Sequence, residues 1–326
     1  MIGYSHNLCF MGAGMRWDAR IGRRLKLHDL HVLLAVVQAG SMAKAASQLA
    51  VSQPAVSKSI ADMERALGVR LLDRGSQGVA PTRYGHALLR RSVAVFDELR
   101  QGVKEIEFLA DPTVGEVRIG TTEPLAASFV SVVVERLSQK HPRIVFHVEQ
   151  GHTATLYHDL RERRVDLVVT RTFEPPAEEH MQAENLFDDV HVVVAGAKSK
   201  WLRRRGVKLV DLADEQWILP PLDSLHGALV VRAFRSAGLD VPSATIFTFS
   251  FALRERLVGA GPFLTTAPAF LMRSPGNHSW LRELPIELPA TRTPIAVVTL
   301  KHRALSPVAE LFIKQVRHVA KELAKS

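Results

Sequence analysis

The chain has 326 residues, more than one ordinary domain contains, so its length indicates two or three domains. Hydrophobic residues make up 47% and charged residues 23% of it, a composition that excludes a largely disordered protein. The 42 Lys and Arg against 33 Asp and Glu give a net charge of +9, and the single cysteine, Cys9, excludes an internal disulfide and a zinc site built from several cysteines. We therefore expect a reduced, cytoplasmic protein without a metal or cofactor.

Residues 1–22 are predicted to be a disordered tail. They lack a basic start, and their short apolar run is interrupted by glycine, so they do not fit a signal peptide. Met11 and Met15 are alternative translation starts. No apolar run approaches the ~20 residues that a membrane span requires.

The positive charge is concentrated near the N-terminus. Between Arg23 and His86 there are nine Lys and Arg but only four Asp and Glu. A basic excess in one fifth of the chain favours a polyanionic partner such as DNA.

The capping residues within 23–83 predict three short helices followed by a hairpin. The first helix ends at Gly40, Ser41 caps the second, and Ser52 caps a third that ends at Gly68. Short apolar runs around the glycines at 75 and 78 predict a small hairpin, or wing. This order predicts a winged helix-turn-helix DNA-binding domain.

A long helix is predicted from Tyr84 to Ala110, where Asp111-Pro112 ends it. Its large apolar residues recur at heptad spacing, which predicts a linker helix that pairs with a second chain. The alternative is one apolar face of a globular helix. The predicted dimerisation residues are Leu89, Phe96, Leu99, Val103 and Ile106.

Strands and helices alternate from 114 to 326, which predicts parallel-type sheets covered by helices. We assign lobe I to about 114–186 and 293–326, and lobe II to about 187–292. The predicted fold is therefore an α+β multidomain protein: a winged helix-turn-helix, a long linker helix and a two-lobed α/β domain.

Residues 30–89 resemble the LysR-type transcriptional regulators, and a looser resemblance covers the whole chain after about residue 23. The resemblance rests on A-A-x-x-L-x-V-S-Q-P-A-V-S-x-x-I, then L-G-V-x-L-x-x-R, then P-T-x-Y-G, in this order. It implies a cytoplasmic, sequence-specific DNA-binding regulator whose effector domain resembles periplasmic binding proteins. It also implies a homodimer or homotetramer on double-stranded operator DNA, acting on RNA polymerase.

The third helix is the expected recognition helix. Gln and Ser can hydrogen-bond to base edges, Lys reaches phosphate or guanine, and a Pro ring can contact a thymine methyl group. Ser52 could equally be a helix cap alone, and the charged residues could be ordinary surface cations. The predicted DNA-binding residues are Lys44, Ser52, Gln53, Pro54, Ser57, Lys58, Arg74 and Arg83.

Hydroxyl groups at the end of a strand, followed by a helix N-terminus, predict a site for a small anionic effector. Arg171 is the expected charge partner. Each of these residues could instead be a cap or a loop residue without ligand contact. The predicted effector-binding residues are Thr121, Thr122, Thr170, Arg171, Thr172, Ser224, His226, Ser250 and Phe251.

Three other classes were weighed. No H-E-x-x-H, G-x-S-x-G, phosphate-binding loop or cysteine–histidine set supports an enzyme. A secreted solute-binding protein would need a signal peptide and would lack the helix-turn-helix. A ligand-independent DNA-binding regulator with a vestigial effector cleft stays open, because a polar cleft alone proves no ligand.

Overall fold

The computed structural model describes residues 25–75, 78–172, 180–273 and 280–323. The predicted tail therefore lies outside the described residues. The chain divides into two compact units, Met1–Leu99 and Arg100–Ser326. Within the described segments no single helix is long and apolar enough to cross a membrane; the bent pair Leu27–Ala39 and Met42–Gln48 meets that test jointly, on length and composition only.

The N-terminal unit is built from short helices whose ends follow their capping residues. Gly40 and Gly68 adopt the left-handed conformation at φ +64° and +70° and end the first and third helices. A two-stranded antiparallel wing follows. The elements are α1 (Leu27–Ala39), α2 (Met42–Gln48), α3 (Gln53–Leu67), β1 (Leu72–Gly75), β2 (Gly78–Pro81) and α4 (Arg83–Ala110).

One apolar core holds these elements together. Val56, Ile60 and Met63 form the buried stripe of α3 at helical spacing. Leu89 and Phe96 of α4 lie partly buried against the same core. Two of the five predicted dimerisation residues thus pack within their own winged domain.

Four large apolar side chains in the second half of α4 are exposed. The exposed fractions of Leu99, Val103 and Ile106 are 50%, 54% and 68%. Leu109 is exposed to 74%. Large apolar side chains repeated on one long helix are typical of a surface that a partner covers.

Gly85, in the first turn of α4, is a position without space for a side chain. A Cβ there would overlap the carbonyl oxygen of Leu71. We expect Gly85→Ala to lower the stability of the winged domain by about 1–3 kcal/mol, which corresponds to a fall in Tm of roughly 4–20 °C. Thermal unfolding followed by circular dichroism measures the change.

Gly102 is the matched control in the same helix, because a Cβ at that position meets nothing within 4 Å. Gly102→Ala should stabilise the helix by about 0.5–1 kcal/mol, since alanine has the higher helix propensity. Equal Tm shifts for the two variants would contradict the close approach at Gly85.

Lobe I of the C-terminal unit is defined by one five-stranded sheet in the order β4-β3-β5-β12-β6. Strand β3 is parallel to β4 and β5, whereas β12 is antiparallel to β5 and β6. A π-helical turn, Ala126–Val130, interrupts α5. The elements are β3 (Val114–Thr121), α5 (Glu123–Leu125, the π turn and Ser131–Lys140), β4 (Arg143–Gln150), α6 (Thr153–Arg161), β5 (Leu167–Arg171) and β6 (Met181–Asp189), with the last strand β12 (Thr293–Leu300) and helix α10 (Pro307–Leu323).

Lobe II is defined by the second sheet, in the order β11-β7-β10-β8-β9. Its strands β8, β9 and β10 run parallel, and β7 and β11 run antiparallel to their neighbours. The elements are β7 (His191–Gly196), β8 (Trp217–Leu219), α7 (Leu225–Ser236), β9 (Ala244–Phe247), α8 (Phe251–Ala260), β10 (Leu264–Pro268), α9 (Ala269–Arg273) and β11 (Leu281–Glu287).

The chain crosses between the lobes twice, at Val190 and between Glu287 and Thr293. The strand-like run 185–196 is not one strand: it breaks at Val190 and its halves join different sheets. The expected parallel sheets are mixed, because each crossing brings a strand back antiparallel to its neighbour. The two crossings define the boundary between the lobes, which we call the cleft.

Candidate functional site

The first turn of α3 presents polar groups away from the core. Ser52 is its N-cap, and the Ser52 hydroxyl accepts a hydrogen bond from the Ala55 amide at 3.4 Å. Pro54 lies in the first turn, where its missing N–H costs no helical hydrogen bond. The buried stripe described above directs the opposite face of this turn to solvent.

The predicted DNA-binding residues lie on or near the solvent side of this unit. Gln53, Pro54 and Lys58 are exposed and Ser57 is half-buried. Lys44 on α2 and Arg74 on the wing are exposed as well. The exposed guanidinium of Arg83 lies over the ring of its neighbour Tyr84, at 4.6 Å from the ring centroid.

Two carboxylates that the sequence reasoning missed hold α3 in place. Asp29 of α1 accepts a hydrogen bond from the Ser59 hydroxyl at 2.7 Å. Glu64 accepts from the amides of Leu71 and Leu72 at 2.8 and 3.2 Å. Glu64 lies near the end of the recognition helix, just before the wing, and this position was the signal in the sequence for its structural role.

In the cleft of the C-terminal unit, most of the predicted hydroxyls are used within the fold. Thr121 donates to the Val169 carbonyl at 2.9 Å, and the hydroxyls of Thr170 and Thr153 are 3.0 Å apart. The Thr172 hydroxyl contacts the Pro294 carbonyl at 3.4 Å. These bonds link β5 to its neighbours and orient the strand ends toward the cleft.

Ser224 and Ser250 are helix caps. Their hydroxyls accept from the third following amide, of Gly227 at 3.0 Å and of Leu253 at 3.2 Å. Thr122 precedes α5 as its N-cap but makes no side-chain cap hydrogen bond. The Thr121 hydroxyl hydrogen-bonds within the sheet, whereas the Thr122 hydroxyl does not.

Arg171 is buried in an ion pair at the crossing between the lobes. It contacts the Asp189 carboxylate at 2.5 Å and also bonds to the Thr293 hydroxyl. The other oxygen of Asp189 accepts from the amide of Phe270 in lobe II at 3.0 Å. Burial raises the pKa of the Asp189 carboxyl, while Arg171 and the Phe270 amide oppose that rise. Arg171 therefore already has an internal partner.

Glu123 and Arg254 are the main residues that sequence reasoning missed. The Glu123 carboxylate of lobe I accepts from the amides of Phe251 and Ala252, the first turn of α8 in lobe II, at 2.9 and 3.0 Å. It thus occupies the positive end of that helix across the cleft. Arg254 lies on the buried face of the same helix with Phe251 and Val258. A charged residue at an apolar position of a helix was the signal in the sequence that could have identified it.

Arg254 is held by lobe II but is incompletely paired. It donates to the Thr266 carbonyl at 3.0 Å, whereas its Nε has no hydrogen-bond partner among the described residues. Burial lowers the pKa of Arg254 to about 10, and Glu123 opposes that fall. An Arg at this pKa is still cationic near neutral pH.

Two histidines lie in the same electrostatic environment. Burial lowers the pKa of His191 well below its usual value, and Arg171, His226 and Arg254 add to the effect. His226 is half-buried, and burial with the two arginines lowers its pKa to about 4. The ring of His152 in lobe I lies 4.3 Å from that of Phe249 in lobe II, which adds a second contact across the cleft.

These shifts predict a loss of stability in acid. Because the folded pKa of His226, about 4, is below the unfolded value of about 6.5, the unfolded chain binds more protons between these values. The free energy of unfolding should therefore fall as the pH drops from about 6.5 toward 4, by up to about 1.4 kcal/mol per unit for each such histidine. Urea titrations followed by tryptophan fluorescence measure it, because the buried Trp201 and Trp217 lie in lobe II.

His226→Asn should reduce this slope, leaving the contribution of His191. His158→Asn, on the exposed face of α6, is the matched control and should keep the parent slope. An identical pH dependence in the His226 variant and the parent would rule out this origin of the acid sensitivity.

The geometry supports two binding functions. One is a basic and polar helix end suited to a DNA groove; the other is a cleft with buried cations suited to a small anion. Within the segments that the structure describes, no group of three His, Cys, Asp or Glu side chains could hold a metal ion.

Comparison with known families agrees with this geometry. Residues 27–86 match the model of the bacterial regulatory helix-turn-helix protein, lysR family. Residues 110–321 match the LysR substrate binding domain. The chain belongs to the LysR family. It is a LysR-type DNA-binding transcriptional regulator with a substrate-binding domain for an effector, as the motifs near the N-terminus predict.

Relatives of this LysR-type regulator cover almost its full length. It is 28% identical to the uncharacterized HTH-type transcriptional regulator YybE of Bacillus subtilis, over 84% of this chain and 91% of that protein. It is also 28% identical to the regulator PcaQ of Agrobacterium fabrum, over 93% and 97% of the two chains. These relatives are regulators rather than enzymes.

Solved LysR structures have the same fold. A full-length OxyR variant from Pseudomonas aeruginosa has a TM-score of 0.64 at 18% identity, over 91% of this chain and 95% of that one. CbnR in complex with its target DNA has a TM-score of 0.52 at 21% identity, over 91% and 100%. At these identities the likeness shows the fold alone.

Proposed function

We propose that the regulator reads its operator with the first turn of α3. Gln53, Ser57 and Lys58 face the base edges, with Ser52 and Pro54 at the helix start. Lys44, Arg74 and Arg83 contact phosphates on either side. The observation that supports this assignment is the exposed polar end of α3 opposite its buried stripe. A helix of this kind fits the major groove, and cations beside it bind phosphate.

The test uses the intergenic DNA upstream of the coding sequence in a mobility-shift experiment over a salt series. Specific retention that falls steeply with salt is expected, because each phosphate contact releases counterions. Equal, weak binding to any DNA would contradict sequence-specific reading of this region, and its absence at low salt would contradict the whole assignment.

The proposed assembly is a homo-oligomer whose subunits pair through α4. The exposed Leu99, Val103 and Ile106 supply the apolar surface. Pairing places two recognition helices in successive major grooves, the usual geometry of symmetric DNA readers, and two such dimers make a tetramer. A regulator of this kind works on cytoplasmic DNA and controls the access of RNA polymerase.

The proposed effector is a small carboxylate bound between the lobes. Arg254 is buried and cationic, and its Nε has no partner among the described residues. The α8 amides beside it already bind one carboxylate, that of Glu123. A ligand carboxylate would use the same donors. Thr122 and His152, on the lobe I side, would complete the contacts.

Glu123 then acts as an internal competitor of the effector. When the ligand displaces it, the contact between Glu123 and α8 is exchanged for contacts between the ligand and both lobes. The differential affinity for two lobe arrangements couples the ligand to the DNA-bound geometry.

Glu123→Gln tests the effector assignment. Removing the internal anion should lower the ligand-free Tm, because two charge-assisted hydrogen bonds worth about 1.5–3 kcal/mol each are weakened. The same change should increase the Tm shift that small carboxylates produce in a thermal screen. Glu149→Gln, at an exposed residue of lobe I, is the control and should change neither quantity.

The second candidate is a regulator that needs no ligand. Its support is that Arg171 and the α8 N-terminus already have internal partners, Asp189 and Glu123. In this case Glu123→Gln lowers the Tm but creates no response to any carboxylate, and operator binding stays independent of added metabolites.

A further inference from the structure

The positive charge of the C-terminal unit is concentrated in one short segment. Residues 112–326 contain 27 Lys and Arg and 23 Asp and Glu, a net charge of +4. Residues 198–208 alone contain six of those cations and no acidic residue, so the remainder of 112–326 is at −2. The basic residues of the segment are Lys198, Lys200, Arg203, Arg204, Arg205 and Lys208.

This basic segment follows β7 and is anchored to lobe II by Trp201. The Trp201 side chain is only 5% exposed and lies in the apolar core of lobe II. Lys200 and Arg204 lie over its ring, each 5.1 Å from the ring centroid, and Lys200 also pairs with Glu215 at 2.8 Å. The anchor holds the segment in a defined position on the surface.

The other cations of the segment point to solvent. Lys198, Arg203 and Arg205 are exposed, and no ion pair to them is seen among residues 25–75, 78–172, 180–273 and 280–323. The apolar residues of the segment are turned inward: Trp201 and Val207 are buried. The exposed surface is therefore cationic without an apolar centre.

We infer that this segment is a second DNA-contacting surface, which binds the phosphate backbone beside the operator core. A protein-binding surface has an apolar centre, whereas a phosphate-binding surface needs only cations with free donors, and arginine forks match phosphate oxygens. Once the winged domain is bound, lobe II is tethered to the same duplex, so its contact forms at high effective concentration. The surface reads no sequence and adds affinity and salt dependence.

The test compares two duplexes that share one operator core, a short one of about 20 bp and a long one of about 60 bp with flanking DNA on both sides. The variant carries Lys198→Ala, Arg203→Ala and Arg205→Ala in the full chain. On the long duplex its affinity should fall by roughly tenfold, and the slope of log K against log salt should decrease by about 1–3. On the short duplex both quantities should equal those of the parent.

The matched control removes three exposed cations elsewhere in the C-terminal unit, with Arg235→Ala, Arg256→Ala and Lys314→Ala. It has the same net charge as the variant and should bind both duplexes as the parent does. Unfolding followed by tryptophan fluorescence verifies that lobe II is folded in each protein.

Three outcomes overturn the inference. One is an unchanged affinity of the variant for the long duplex, which would assign the segment to an acidic protein partner instead. Another is an equal loss on both duplexes. The third is an equal loss in the control, because net charge rather than position would then explain the effect.

Discussion

Replacement of both Lys58 and Arg74 by alanine is expected to weaken operator binding by roughly 30- to 10,000-fold. Lys58 lies in the second turn of α3, and Arg74 lies on the wing; both side chains are exposed. A direct base or phosphate contact contributes about 1–3 kcal/mol, and the two residues lie on different elements, so we expect their effects to add. The slope of log K against log salt should fall by about 1, from the phosphate contact of Arg74.

Arg65→Ala is the control for this pair. Arg65 lies in the last turn of the same helix, is exposed to 77% and pairs with Asp62 at 2.8 Å. Its removal should leave both affinity and salt slope close to those of the parent. If the double variant kept the parent affinity and slope, Lys58 and Arg74 would have no role in operator binding.

Replacement of Val103 by glutamate is expected to dissociate the oligomer. Val103 is 54% exposed between Leu99 and Ile106, so a glutamate would introduce a charge into the apolar surface that a partner α4 covers. A charge buried without a partner costs several kcal/mol. Because monomers engage each half-site separately, operator affinity should also fall, by about 10²–10⁴-fold. Light scattering measures the mass of the oligomer, and a mobility-shift experiment measures the operator affinity.

The same substitution at Val210 makes a stringent control. Val210 is also 54% exposed but lies in a short turn of lobe II. Val210→Glu should keep the parent mass. An unaltered mass in the Val103 variant would show that pairing uses another surface.

The winged domain could be predicted almost completely from the sequence, because local signals determine it. Gly40 and Gly68 end helices where only glycine adopts a left-handed conformation cheaply, and Ser52 caps α3. The apolar residues Val56, Ile60 and Met63 recur at helical spacing on α3, and all three are buried. Each of these features depends on residues within one or two helical turns.

Helix α4 was predicted nearly to the residue, but its heptad pattern was less informative about contacts. Leu89 and Phe96 have the same spacing as Val103, yet they pack on the winged core and Val103 is exposed. Spacing gives the face of a helix but not the element that covers it. That distinction depends on where the rest of the chain folds back.

The effector cleft could be predicted in outline only. Thr121 and Thr122 were named as effector-binding residues because they end a strand, and that role stays a prediction. Glu123, the next residue, was missed because its partner is α8, well over a hundred residues away. Arg171 was identified as a charged cleft residue, but its partner Asp189 lay inside a run that reads as one strand. Non-local pairs of this kind leave no periodic signal.

In the proposed effector site, the carboxylate of Glu123 would also set the ligand concentration at which the protein responds. A competitor attached to the site has a local concentration in the millimolar range, and a free ligand must exceed the resulting handicap before it occupies the same amides. A metabolite at trace concentration with one weak carboxylate contact would not occupy the site. The threshold therefore favours an abundant metabolite, or a metabolite whose second charged group binds a cation that Glu123 does not pair with. Changing the single side chain of Glu123 would change this threshold.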